Sequence, residues 1–151
     1  MSTQSPIDSS SWLFSFGVSG ANVRNVGSKG KTVFSFPQDA ASVVTAFTGQ
    51  PDRITGQMPL SRLAKKFKHW FAKSDPDGAI SFWTSEFNNV VCEIESIKRR
   101  KGQYIITTDD IDRPLTRGLP SGMIVPDEIS RMNVMLYDEI VPGLTSVDFG
   151  S

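Results

Sequence analysis

Cysteine and histidine are almost missing from this chain: Cys92 and His69 stand alone among 151 residues. A single cysteine excludes an internal disulfide, and one cysteine with one histidine excludes a Cys2His2 zinc centre. No apolar run reaches the roughly 20 residues that span a bilayer as a helix. No Lys or Arg precedes the apolar stretch WLFSFGV, and Asp8 lies upstream of it, where a signal peptide carries positive charge. The expectation is a soluble, cytoplasmic protein. Internal repeats and low-complexity tracts are also absent, which removes solenoid and linker architectures.

What is present is core material. Hydrophobic residues make up 38% of the chain, with ten Phe and three Trp. That is enough apolar area for one ordinary domain without staples or metals. Residues 1–11 are polar and aperiodic and read as a flexible N-terminal tail, with a single globular domain over 12–151.

Periodicity predicts the elements of that domain. Trp12, Phe14, Phe16 and Val18 alternate as a strand. NVRNVGSKGKTVFSF reads as a hairpin turning at GSKGK. Val43, Val44 and Phe47 sit at i, i+1, i+4, predicting a short helix over 38–48 closed by Gly49 and Pro51. A second helix is predicted over 61–73 with Ser61 as N-cap, followed by a turn at DPDG. AISFWTS reads as a strand. Residues 86–101 fit both a helix and the first arm of a hairpin that turns at RRKG; their β-branched content favours the hairpin. Ile129, Met132, Leu136 and Ile140 predict a last helix capped by Asp127. The expected fold is α+β: a mostly antiparallel sheet of five to six strands with two to three helices packed on it.

Several motifs come close to known chemistry and fail on geometry. Residues 25–32, NVGSKGKT, approach a phosphate-binding loop, but Asn25 replaces the first glycine and a strand-like VFSFP follows where a helix must begin. In DPDGAISFWTSE, Gly78 and Ala79 fall at the wrong places for a calcium loop. Asp77, Glu93, Glu95 and Lys98 resemble a metal-dependent nuclease set only loosely: Lys98 comes three residues after Glu95, which on a strand puts it on the other face. Asp109, Asp110 and Asp112 gather at a strand end and are the candidate cation ligands, although such loop carboxylates more often hold backbone donors. A Cys92–His69 dyad requires an inward cysteine to meet a histidine on a polar helix face. Nothing in this inventory calls for an enzyme, and no cofactor is expected.

Charge is the remaining signal. The chain is neutral overall, but residues 1–74 carry nine Lys/Arg against three Asp/Glu, and residues 75–151 carry seven against thirteen. On the helix over 61–73, Leu63, Ala64, Phe67, Trp70 and Phe71 share an arc of about 120°. Arg62, Lys65, Lys66, Lys68 and Lys73 occupy the rest with no acidic residue between them. Wet helix faces ordinarily mix Glu with Lys. A second basic run, Lys98, Arg99, Arg100 and Lys101, follows later. Three anionic partners match such a face: an acidic protein surface or another copy of the chain, nucleic-acid phosphates, or an anionic membrane surface. The expected function is a non-enzymatic binding or assembly protein, with nucleic-acid binding as the alternative and a metal-dependent enzyme on the Asp109 cluster a distant third.

Overall fold

The computed structural model describes residues 12–26, 31–48, 55–83, 87–109, 128–138 and 149. Among them are ten strands and one α-helix. The strands are β1 (Trp12–Val18), β2 (Ala21–Val26), β3 (Lys31–Pro37), β4 (Val44–Thr48), β5 (Thr55–Met58), β6 (Asp77–Trp83), β7 (Phe87–Arg100), β8 (Gln103–Asp109), β9 (Glu128–Ile129) and β10 (Met132–Asp138). The helix α1 spans Leu60–Trp70, between β5 and β6.

All pairings are antiparallel, in one sheet of order β5-β4-β1-β10-β6-β7-β8-β3-β2-β9. The protein is therefore predominantly β, and the expectation of an α+β fold with five to six strands and two to three helices is corrected. Both surplus helices are strand. Over 38–48 a single 3-10 turn, Gln38–Ala40, gives way to β4, in which Val44, Ala46 and Thr48 are buried with period two. The predicted last helix is β9 and β10, where Met132, Val134 and Leu136 alternate inward.

The sheet returns on itself. Only Ser19 and Gly20 separate β1 from β2, and only Ser130 and Arg131 separate β9 from β10. β1 pairs with β10 and β2 with β9, so two bent strands run side by side. Following pairings from β1 through β10, β6, β7, β8 and β3 leads to β2, which is β1 continued. The β1–β2 corner is held by Ser19 N–H to Ala40 O (2.9 Å) and Ser42 N–H to Gly17 O (2.9 Å).

The opposite bend lies in β7. Its register against β8 slips between Ile94 and Ser96, leaving Glu95 as an extra residue. Such a bulge bends a strand and raises its twist. Before it, β7 turns Val90, Cys92 and Ile94 inward; after it, the buried residue is Ile97. Inward side chains from all around the ring form one core, with Trp12, Phe14, Phe34, Phe36, Phe82, Ile94 and Ile106 at 2% exposure or less.

α1 docks on this core through Leu60, Leu63, Phe67 and Trp70. Phe14 stacks on Trp70 at 5.9 Å between ring centroids and meets Phe71 edge-on at 6.0 Å. Each such ring contributes on the order of 2 kcal/mol by burial. The amphipathic arc read from the sequence is thus the docking face. Its cap differs from expectation: Pro59 occupies the N-cap with φ −69° and ψ 150°, and Ser61 lies inside the helix. Proline presets the extended entry but has no side chain to hold the first N–H groups. Likewise, Asp77 and Gly78 of the expected DPDG turn already belong to β6, and the chain bends earlier, at 71–74.

Candidate functional site: a basic groove between α1 and β7

The bulge carries the last residues of β7 alongside α1, and the two enclose an open groove of about 680 Å3. From α1 it is lined by Ser61, Arg62, Ala64, Lys65, Phe67 and Lys68, and from β7 by Ser96, Ile97, Lys98, Arg99 and Arg100. Six of the nine predicted basic residues therefore meet in one place: Arg62, Lys65 and Lys68 on one wall, Lys98, Arg99 and Arg100 on the other. Among the described residues, no carboxylate lines the groove.

The chemistry of the groove follows from its two walls. Lys65 and Lys68 are one turn apart on the helix and so project from the same side. Lys98 and Arg100 are two apart on the strand and share a face. Arg99 has the opposite parity; its register partner is Tyr104, and it reaches the N-terminal end of α1. There the groove adjoins a smaller hollow of about 310 Å3, bordered by Asp39, Leu60, Ser61, Arg99 and Tyr104. The first turn of α1 has neither a side-chain cap nor an acidic residue, so its dipole adds to the positive field. Beneath the charges, Phe67 and Ile97 are 3% and 2% exposed, so the groove floor is sealed core.

Three predicted residues stay outside. Lys66 and Lys73 do not line the groove, and Lys101 sits at the tip of the β7–β8 turn. Two lining hydroxyls were missed as site residues: Ser61, read only as a cap, and Ser96, brought round by the bulge. The bulge had a trace in the sequence, because Ile94 and Ile97 are spaced by three in a segment that otherwise alternates by two.

The remaining candidates separate. Asp109 is half-buried in β8 and accepts a hydrogen bond from Glu93 N–H at 3.0 Å; Asp110 and Asp112 lie outside the described residues. Among the described residues, no three His, Cys, Asp or Glu side chains are placed to share a metal ion. Glu95 is ion-paired to Lys31, away from Lys98 in the groove. Asp75 is exposed just before β6, and partial desolvation together with Glu95 raises its carboxyl from its ordinary value, against the lowering effect of Lys31. Cys92 is buried and His69 is exposed on α1. Burial, reinforced by Asp109 and Glu93, pushes the Cys92 thiol up to about 12. A thiol so held is not a nucleophile at neutral pH. Thr32 of the near-miss phosphate loop lies in β3.

No protein-family model, curated protein or solved structure matches this chain. Among the described residues, no helix is long and apolar enough to cross a membrane.

Proposed function

We propose that the protein is a non-enzymatic binding protein whose α1–β7 groove takes the phosphate backbone of a nucleic acid. The observation that carries this reading is the composition of the groove: six cations on two walls, no described carboxylate, and both large apolar lining residues sealed beneath them. A protein partner is ordinarily gripped through exposed aromatic or aliphatic anchors at the centre of an interface. Among the described residues this groove offers none, so an acidic protein or a second copy has little to hold there but charge. A phosphate chain needs only charge and hydrogen-bond donors, and releases counterions when it binds. Arg, Lys and Ser are backbone-contacting types, and among the described residues no exposed ring lines the groove for bases to stack on. The binding is therefore independent of sequence.

Fluorescence anisotropy with labelled single-stranded and duplex oligonucleotides tests this. Affinity falls steeply with salt, with a log–log slope no steeper than about −5, as six phosphate contacts allow. Reversing Lys65, Lys68 and Lys98 to Glu abolishes binding, whereas Lys66→Glu and Lys73→Glu weaken it far less. Absence of binding to either oligonucleotide at low salt overturns the proposal.

A further inference from the structure

The basic groove opens at one end onto a carboxylate. Ser61 and Arg99 line both the groove and the hollow of about 310 Å3 at the N-terminal end of α1. Asp39, exposed in the 3-10 turn Gln38–Ala40, borders the same hollow. Asp39 and Arg99 form no ion pair, and among the described residues Asp39 accepts no hydrogen bond. The lining changes character as well. The groove is cationic over sealed core, whereas the hollow has an apolar rim at Pro59 and Val43, the latter 54% exposed. Its floor is Leu60 and Tyr104, 4% and 5% exposed.

These features decide what can follow the last phosphate of a bound strand. Asp39 repels a further phosphate. A carboxylate without partners needs donors, and its two oxygens accept from two neighbouring hydroxyls. The volume lies at the low end of the roughly 300–1,000 Å3 of small-ligand sites, which suits one nucleoside out of its stack. A base finds little to stack on, because Tyr104, the aromatic residue of the lining, is almost fully buried. A ribose fits both demands: its carbons meet the apolar rim, and carboxylates hold ribose hydroxyls in dinucleotide sites. Along a strand, two free adjacent hydroxyls occur at the 3′ end of RNA. Internal riboses have given the 3′-oxygen to the phosphodiester, and DNA lacks the 2′-hydroxyl.

We infer that the hollow takes the 3′-terminal ribose of a single-stranded RNA, with Asp39 accepting from its 2′- and 3′-hydroxyls and Arg99 and Ser61 donating to the last phosphate. This rests on the phosphate groove proposed above and names its substrate. Anisotropy on the full chain tests it, with one single-stranded RNA labelled at its 5′ end and finished with a 3′ diol, a 2′,3′-dideoxy end or a 3′-phosphate. The diol end binds on the order of tenfold tighter than the dideoxy end, as hydrogen bonds to a charged acceptor allow. The 3′-phosphate end binds weakest, although its extra charge would favour a groove of cations alone. Asp39→Ala, at an exposed position, keeps the melting temperature and removes the preference for the diol. If Asp39 acts only through its charge, Asp39→Ala raises the affinity of every end and leaves the preference in place; that result overturns the inference. So do equal affinities for the diol and dideoxy ends, or a preference for one terminal base that ignores the sugar. A nucleoside 5′-monophosphate that displaces the RNA at equal concentration also overturns it, since the hollow then serves a free nucleotide. Binding that is blind to the end leaves the groove standing, whereas no binding by any of the three RNAs overturns both.

Discussion

Ile94 folds over Gly78 so closely that a methyl group on Gly78 would lie 2.6 Å from Ile94 Cγ1 and 2.8 Å from Cδ1. Ile94 is the last residue before the β7 bulge, is fully buried, and its N–H donates to Pro76 O at 3.0 Å. The bend that carries β7 towards α1 thus rests on a strand with no side chain at that point. Gly78→Ala is expected to lower stability by about 1–3 kcal/mol through overpacking. Combined with Ile94→Ala, it costs less than the sum of the two changes, because the clash has been removed. Urea midpoints for the four proteins measure the coupling; strict additivity would show that the contact does not constrain the bend.

The β7–β8 turn carries a separable cation. Lys101 has φ 52° and Gly102 φ 78°, the paired positive values of a type I′ hairpin turn. Asparagine tolerates this region better than lysine, so Lys101→Asn is expected to stabilise by about 0.5–1 kcal/mol. Gly102→Ala destabilises by about 1 kcal/mol or more. Since Lys101 lies outside the groove, Lys101→Asn leaves the salt dependence of oligonucleotide binding nearly unchanged, whereas Lys98→Ala reduces its slope by about one unit. Thermal melts and anisotropy titrations on the same samples separate the two effects.

Cys92 links burial to alkaline stability. Its thiol is pushed up to about 12 from an ordinary value of 9.0, chiefly by burial and secondarily by Asp109 and Glu93. Between those two values the unfolded chain has released the proton and the folded chain keeps it, so rising pH favours unfolding. The contribution is intact below about pH 9 and is lost progressively towards pH 12. Cys92→Ala is expected to flatten the alkaline fall in stability relative to the parent protein, measured as urea midpoints across that window. In the native protein a thiol reagent at pH 8 reacts with Cys92 only through opening of the fold, so its rate increases with denaturant.

The elements legible in the sequence were those whose pattern admits one period. Trp12 to Val18 alternates cleanly, the hairpin arms flank the glycine-containing stretch GSKG, and the α1 arc keeps rings and lysines apart. The two helices that proved to be strands came where both periods fit. In Met132–Tyr137 apolar residues stand at odd and even positions alike, and Val43, Val44 and Phe47 allow a helical stripe as readily as a strand. Pairing with β1 decided both, and that is a contact over long sequence distance. For the site, the charges themselves were visible, but their meeting was not. It depends on a bulge at Glu95, which the Ile94–Ile97 spacing hinted at without saying which element the bent strand would approach.

The closed path of strand pairings also bears on how the chain is made. β1 opens the described residues, yet its long partner is β10, with Trp12 set against Asp138. As the chain leaves the ribosome, β1 can take up β4 at once, but its other edge waits until Asp138, more than 100 residues on, has emerged. Such high contact order slows folding, because the entropy of closing the long loop is spent before the pairing repays it. Until then β1 and β6 expose adjacent unpaired edges in a sequence rich in phenylalanine, and that is the interval in which this protein is most open to aggregation.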